Sequence, residues 1–167
     1  MGQVSEKSRE MVTSLDEIVW AVNPANDSLP NLANYLCHFA EEFFRSTPIR
    51  CRLDVGEVLP TASLTSEVRH NLYLAVREAL NNIAKHSQAT EVWLRIHFQE
   101  PGKLCLTITD NGRGFSSTPD GLSGDGLANM RRRLMQIGGH FECENQAGGG
   151  VVCQFWLPVE SRPSLKS

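Results

Sequence analysis

Positive charge and long apolar runs are both scarce in this sequence of 167 residues. The formal net charge is −3, and the basic run at Arg131, Arg132 and Arg133 is short. A surface that follows nucleic-acid phosphates is usually clearly basic, so these features argue against nucleic acid as a partner. No apolar run reaches the ~20 residues that a membrane-spanning helix needs, so we expect no membrane contact by this polypeptide.

Cysteine is also sparse, and its spacing does not suit a metal site. The sequence has 5 cysteines, an odd number, and none of them forms a CxxC pair. Zinc sites and disulfide frameworks usually show such pairs or an even count, so neither is predicted. Because most of these cysteines stand among apolar residues, we interpret them as buried free thiols in a reducing compartment.

The apolar pattern divides the chain into helices and strands. Repeats of three and four residues predict helices at 5–22, 29–46, 66–86 and 126–138. Alternation and turn residues predict strands at 49–55, 91–98, 103–109, 140–145 and 151–157. This order, with neighbouring strands pairing antiparallel, predicts an α+β sandwich that has helices on one face of a mixed sheet.

The first predicted helix carries an apolar stripe that has no obvious cover. Its members are Met11, Leu15, Ile18, Val19 and Val22. A stripe of this kind packs against another element, so we expect it to need a partner.

The helix at 66–86 presents a group of polar side chains beside its core stripe. Glu78 and Asn82 are four residues apart and share a face, while Lys85 and His86 lie close to that line. A carboxylate, an amide oxygen and an ammonium suit a metal-bound triphosphate, because Mg²⁺ prefers oxygen ligands. The alternative is a solvated helix face with a Glu–Lys pair.

A carboxylate followed by spaced glycines marks the end of the strand at 103–109. Asp110 can accept a hydrogen bond from an exocyclic amine such as that of adenine. Gly112 and Gly114 let the backbone approach a flat base, since they lack a β-carbon. The alternative is an ordinary tight turn, for which the letters DNG are a strong signal.

Two further glycine groups are weaker signals. Gly124 and Gly126 precede a helix, whose N-terminal N–H groups favour phosphate. The letters AGGG at 147–150 permit unusual backbone angles but also suit a hairpin loop.

Taken together, these motifs resemble the ATP-binding domain of sensor histidine kinases, within the GHKL superfamily that includes gyrase-type and chaperone ATPases. EALNNIAKH resembles the N box, and DNGRGF, GDGL and GGGVV resemble the three glycine boxes. GLANMRRR and EALNNIAKHSQA look most like the nitrate-sensor and thermosensor (HisKA_3-like) subfamily. The motifs cover about residues 78–157, and the order of elements extends the match to about residue 30.

The resemblance implies a Bergerat-type sandwich and a role for each matching residue. Asn82 would hold Mg²⁺, and Glu78 would act beside the γ-phosphate, which makes these two the candidate catalytic residues. Lys85 and His86 would lie near the phosphates, and Asp110 would bind the adenine amino group. The glycine boxes and their neighbours would complete the ATP site, namely Gly112, Gly114, Phe115, Gly124, Gly126, Leu127 and Gly150. Residues 116–125 would form a mobile lid.

The third glycine box departs from the family pattern. Val151 follows Gly150, where the family usually has threonine. If that hydroxyl contributes to the base pocket, nucleotide affinity is lower in this protein.

The resemblance also implies a division of the chain. Residues 1–26 would be the end of the second dimerisation helix and a linker, 27–160 the catalytic domain, and 161–167 a disordered tail. None of the 5 histidines stands in a helix directly before an acidic residue, the usual setting of the phosphate acceptor. We therefore expect a truncated cytoplasmic kinase that binds Mg-ATP but cannot autophosphorylate. Its partners would be the missing dimerisation helix and, indirectly, a response regulator.

Three alternatives remain open from the sequence. One is a GHKL serine kinase of the anti-sigma type, which would lack the helix before residue 26. Another is a binding module without catalysis, in which the nucleotide only orders the lid for a partner. The third is an unrelated α+β domain.

Overall fold

The computed structural model describes residues 15–99, 101–115 and 124–160. The start of the first predicted helix, residues 116–123 of the predicted lid (116–125) and the predicted disordered tail lie outside these described residues. In the described part of the chain, no helix is long and apolar enough to cross a membrane.

The elements follow the predicted order closely. The helices are α1 (described at 15–22), α2 (Leu29–Phe44), α3 (Ser66–Asn82) and α4 (Asp125–Gln136). The strands are β1 (Arg50–Val55), β2 (Glu91–Gln99), β3 (Lys103–Asp110), β4 (His140–Asn145) and β5 (Val151–Pro158). A 3₁₀ turn (Pro24–Asn26) follows α1, and a π-helical turn (Ile83–Ser87) extends α3.

The strands form one mixed sheet of 5 strands in the order β1-β2-β3-β5-β4. The prediction of antiparallel neighbours is correct for β2–β3, β3–β5 and β4–β5. It is wrong for β1, which pairs parallel to β2. The reason is that α3 lies between these two strands in the chain, and a helical crossover returns the chain in the same direction.

The core lies between the sheet and the helices, which confirms the predicted α+β sandwich. Alternate residues of β2, such as Val92, Leu94 and Ile96, are buried in it. Helix α3 adds its predicted stripe, including Leu72 and Val76. The carboxyl end of α3 and the end of β3 are therefore held against the same core.

The end of α3 departs from regular helix just after Asn82. The Ser87 hydroxyl donates a hydrogen bond to the Ile83 carbonyl (2.7 Å) and accepts one from the Ala89 N–H (3.0 Å). A serine that bonds back to the preceding turn competes with regular helical hydrogen bonds. The next residue, Gln88, has φ 54° and turns the chain toward β2. The π turn thus ends the helix and fixes the direction of the Ser87 backbone.

Helix α1 has two different faces. Leu15, Ile18, Val19 and Val22 are between 49% and 63% exposed, so no other described residue covers this part of the predicted stripe. On the other face Glu17 is buried. The uncovered stripe fits the expectation that α1 packs against a further helix.

The buried face of α1 is joined to α3 by polar contacts. The Tyr73 hydroxyl donates a hydrogen bond to the Glu17 carboxylate, which also pairs with the Arg77 guanidinium at 3.2 Å. Burial and this bond raise the pKa of Tyr73 well above its usual range. Because Arg77 directly precedes Glu78, a shift of α1 would act on the helix that carries Glu78 and Asn82.

Arg69 of α3 also joins the carboxyl end of α1 to the domain by hydrogen bonds. This buried side chain donates to the Ala21 carbonyl, to the Asn23 carbonyl (3.2 Å) and to the Leu64 carbonyl (2.6 Å). A cation that binds the last carbonyls of a helix also interacts favourably with its dipole. Nearby, Trp20 stacks on Tyr35 with ring centroids 3.8 Å apart.

We expect Tyr73→Phe to loosen α1 from the domain. The change leaves the buried Glu17 carboxylate without one of its donors, and a hydrogen bond to a charged group contributes about 1.5–3 kcal/mol. Urea unfolding followed by tryptophan fluorescence, with Trp20 as the reporter for α1, should show that loss. Tyr35→Phe is the control, since it keeps the ring that stacks on Trp20. Equal stability of the two variants would contradict the importance of the Tyr73–Glu17 bond.

Candidate functional site

A cavity of about 550 Å³ opens between the end of α3, the start of α4 and the adjoining ends of β3 and β5. Most of the residues predicted from sequence line it. They are Glu78, Asn82, His86, Asp110, Gly114, Phe115, Gly124, Gly126 and Leu127. The motifs that are separate in sequence therefore meet in one place.

Three predicted residues are not part of the cavity wall. Lys85 is exposed and lies outside the lining, although it shares the π turn with His86. Gly112 and Gly150 are also absent from the lining, but both contact Asp110. These two glycines therefore affect the site through their contacts with Asp110 and not as part of its wall.

Asp110 is the most enclosed acid of the site, at 2% exposure. Its carboxylate accepts a hydrogen bond from the backbone N–H of Gly112 (2.8 Å), and the backbone N–H of Val151 also faces it. Burial raises the pKa of this carboxyl group, and the two N–H donors partly offset the rise. A carboxylate has about four acceptor positions, so Asp110 can accept a further bond from a ligand in the cavity.

The turn after Asp110 is docked onto the end of α3. The Arg113 N–H donates to the Ser87 carbonyl at 2.8 Å, and the Arg113 Nε donates to the His86 carbonyl at 2.9 Å. A β-carbon on Gly112 would overlap with the Ser87 carbonyl oxygen. Glycine is therefore required here by the close approach of two backbones, in addition to its place in a tight turn.

The far end of the turn is held by a residue of β4. Asn145 accepts a hydrogen bond from the Phe115 N–H (2.7 Å) and donates one to the Phe115 carbonyl (3.1 Å). These bonds keep the backbone of Phe115 beside the cavity. Gly114 has φ +76°, and a β-carbon there would come within 2.8 Å of the Asn145 Oδ1.

Helix α4 begins at the cavity on the side of Glu78 and Asn82. Gly124 is its N-cap and supplies no side-chain acceptor, so the first N–H groups of α4 lack that partner. A β-carbon on Gly126 would lie 2.5 Å from Glu78 Oε1 and 3.6 Å from Asn82 Nδ2. The helix end, which favours anions, thus stands within contact distance of the two polar residues of α3.

Several lining residues were not anticipated from sequence. They are Ala79, Ile83, Ser87, Ile108, Arg113 and Cys153. Val151, which the sequence marked as a departure in the third glycine box, also lines the cavity. Ile108 could have been found, since it alternates with Asp110 along β3. Asn145 had no such signal, because only the sheet register places it opposite Val151 and near Phe115.

The site offers oxygen ligands to a metal but no cage made by the protein. Among the described residues, no group of three or more His, Cys, Asp or Glu side chains could hold a metal ion. Mg²⁺ needs no such group, because it keeps several waters and shares substrate phosphates. The amide oxygen of Asn82 and the carboxylate of Glu78 therefore suit Mg²⁺ that arrives with a polyphosphate.

Known proteins resemble this chain over most of its length. Residues 67–161 match the family described as histidine kinase-, DNA gyrase B- and HSP90-like ATPase. The sensor histidine kinase YdfH of Bacillus subtilis is 31% identical over 124 residues, which cover 72% of this chain and 29% of that protein. LiaS, another sensor histidine kinase of Bacillus subtilis, is 26% identical over 93% of this chain and 42% of its own length.

A solved structure supports the fold. The histidine kinase domain of a blue-light activated kinase from Erythrobacter litoralis superposes with a TM-score of 0.64 and 20% identity, over 77% of this chain and 65% of that one. The chain thus spans less than half the length of the two curated relatives described above.

Proposed function

Since the chain belongs to the family of histidine kinase-, DNA gyrase B- and HSP90-like ATPases and carries the ATP-binding catalytic domain of sensor histidine kinases, we propose a role for each residue of the cavity. Asp110 accepts a hydrogen bond from the adenine amino group. The observation that carries this role is the buried carboxylate, held by Gly112 and Val151 at the cavity wall. Gly114 and Phe115 flank the base.

At the other end of the cavity, the phosphates meet α3 and α4. Gly124, Gly126 and Leu127 present the helix start to the anion, and His86 lies beside it. Asn82 holds Mg²⁺ through its amide oxygen, and Glu78 orients water or metal near the γ-phosphate. Bound Mg²⁺ supplies neutralisation of charge on the phosphates during transfer. Lys85, exposed on the neighbouring turn, reaches the phosphates only through its long side chain.

For the whole protein, we propose phosphoryl transfer from ATP to a histidine outside this sequence. The exposed stripe of α1 fits a dimerisation helix, with residues 1–26 belonging to that element and 27–160 to the catalytic domain. The product phosphohistidine would serve a response regulator. We place the parent in the HisKA_3-like subfamily, and the ATP site in the cytoplasm because ATP is available there. The joint presence of Glu78, Asn82 and Asp110 in one cavity favours this role over a module without catalysis.

The first experiment is calorimetric titration of this chain with a non-hydrolysable ATP analogue. Titrations with and without Mg²⁺, and with GTP, separate recognition of the base from recognition of the phosphates. We expect binding that favours adenine and strengthens with Mg²⁺. Absence of binding under both metal conditions would contradict the assignment of this cavity.

Asn82→Ala should remove the Mg²⁺ dependence of binding and leave recognition of adenine intact. The alanine lacks the amide oxygen, so the affinities measured with and without Mg²⁺ should become similar. Asn81→Ala is the control, since Asn81 lies on the same helix but not in the cavity lining. If Asn82→Ala bound Mg-ATP as the wild type does, the metal assignment would be wrong.

A further inference from the structure

Two cysteines face each other on neighbouring strands beside the cavity. Cys143 of β4 is paired directly with Cys153 of β5 in the antiparallel register. Their Sγ atoms are 2.6 Å apart, and both residues are free thiols. A disulfide bond is about 2.05 Å long and joins Cα atoms about 4.4–6.8 Å apart, a range that includes directly opposed residues of antiparallel strands. Closing the remaining gap takes a movement of roughly half an ångström.

We infer that Cys143 and Cys153 form a reversible dithiol–disulfide site, oxidised by low-molecular-weight disulfides, whose closure weakens nucleotide binding in the adjacent cavity. The thiol site itself follows from the geometry of the two strands. Its effect on the nucleotide rests on the proposed function.

The oxidation proceeds by two thiol–disulfide exchanges. Cys143 is partly exposed, whereas Cys153 is buried. The deprotonated Cys143 sulfur attacks one sulfur of the small disulfide, whose S–S bond breaks and releases one small thiol. Cys153 then attacks the Cys143 sulfur of the mixed disulfide, and its proton goes to the second small thiol that leaves. Two protein thiols lose two electrons in total, and one small disulfide becomes two thiols.

The two cysteines differ in a way that fixes this order. Contact with Cys143 and burial raise the pKa of the Cys153 thiol, which makes Cys153 the poorer first nucleophile. In the second exchange this disadvantage is offset, because the attacked sulfur is already held beside Cys153.

The site is coupled to the cavity through the same two strands. Cys153 lines the cavity. Two residues away on β5, the backbone N–H of Val151 faces the Asp110 carboxylate, and two residues away on β4, the Asn145 side chain holds the Phe115 backbone. Residues two apart on a strand point to the same face of the sheet. The side chains of Cys143, Asn145, Val151 and Cys153 therefore share one face.

A covalent bond between the strands would change the spacing of the groups that hold the nucleotide. Asp110 lies at the end of β3 and its carboxylate faces the Val151 N–H of β5, while Phe115 is held by Asn145 of β4. The relative placement of β4 and β5 therefore affects both sides of the base pocket. A misplacement of about 1 Å can cost roughly 100-fold in activity at a site of this kind, so the spacing of these groups matters. We expect the disulfide to weaken binding at least about five-fold, the lower end of typical coupling between sites.

The experiment uses the whole chain in buffers of reduced and oxidised glutathione. Free thiols are trapped with iodoacetamide, and peptides are identified by mass. We expect a linked Cys143–Cys153 peptide that grows with the share of oxidised glutathione and disappears with dithiothreitol. Cys37→Ser should leave this peptide unchanged, whereas Cys143→Ser should abolish it. No linked peptide in the most oxidising buffer would overturn the site.

Binding of the ATP analogue is then measured on the reduced and oxidised forms. The wild type should bind at least about five-fold more weakly when oxidised, and Cys143→Ser should bind equally in both buffers. A linked peptide with unchanged affinity would overturn the coupling. Failure of the reduced wild type to bind would instead refute the nucleotide assignment, and the effect on the nucleotide with it, while the peptide measurement decides the thiol site separately.

Discussion

Asp110→Asn should weaken the binding of an ATP analogue by roughly 10- to 150-fold and remove most of the preference over GTP. Hydrogen bonds to charged groups contribute about 1.5–3 kcal/mol, which corresponds to this range. Asparagine has nearly the shape of aspartate, so the cavity itself should persist. Calorimetric titration of the wild type and the variant with both nucleotides measures the effect.

The expected loss of affinity is large because several donors surround the two carboxylate oxygens of Asp110. The N–H groups of Gly112 and Val151 already point at the carboxylate. Asparagine supplies only one acceptor oxygen, and its NH₂ group must then face either Val151 or the adenine amine, both of which are donors. The variant therefore replaces an attraction with a contact between donors.

The pH profile gives a second readout of the same group. Burial is the main cause of the raised pKa of Asp110, so its protonation begins above the usual value of 3.8. Adenine needs the ionised form as acceptor, and affinity should fall as pH decreases through that raised pKa. Because the folded pKa exceeds the unfolded one, ionisation of Asp110 disfavours folding, and its contribution to stability falls as pH rises through the same range.

A control separates Asp110 from the other acids and from titration of the nucleotide. Asp54→Asn changes an exposed carboxylate on β1, outside the cavity lining, and should keep both the affinity and the pH profile. Subtracting the Asp110→Asn profile from that of the wild type isolates the titration of Asp110. If the wild type and Asp110→Asn showed identical pH profiles of binding, that result would argue against Asp110 as the acceptor.

The predicted residues that carry local signals in the sequence do line the cavity. Asp110 stands at a strand end before spaced glycines, and Asn82 lies one helical turn from Glu78. Both signals come from neighbours in the chain, so no tertiary knowledge was needed. The lining residue Cys153 was missed as a site residue, since an apolar side chain in a strand looks the same in a core and in a cavity wall.

Contacts between distant segments could not be read from the sequence. Glu17 and Tyr73 are 56 positions apart, and a lone glutamate on a helix usually lies on its solvated face. The parallel pairing of β1 was likewise missed, because alternation in a strand reports its buried face but not the direction of its neighbour. The π turn at Ile83–Ser87 was missed as well, because the apolar pattern of the preceding helix continues into it.

The glycine run before β5 provides the second large effect. Gly148, Gly149 and Gly150 all have positive φ angles, between +91° and +108°. They differ in their surroundings: a β-carbon on Gly148 would meet nothing within 4 Å, whereas one on Gly150 would overlap with the Asp110 carbonyl oxygen. The two positions therefore share the same backbone strain but not the same steric limit.

Gly150→Ala should reduce the free energy of unfolding by roughly 4 kcal/mol, the sum of about 1–3 for backbone strain and about 1–3 for overpacking. Gly148→Ala should reduce the free energy of unfolding only by the contribution from backbone strain, about 1–3 kcal/mol. Urea unfolding of the two variants measures the difference, and calorimetry should show that Gly150→Ala also loses ATP binding, because the displaced backbone is that of Asp110. Nearly equal losses in both variants would mean that the chain moves away at Gly150 without cost. In that case the third glycine box would be needed for its backbone angles and not for its contact with Asp110.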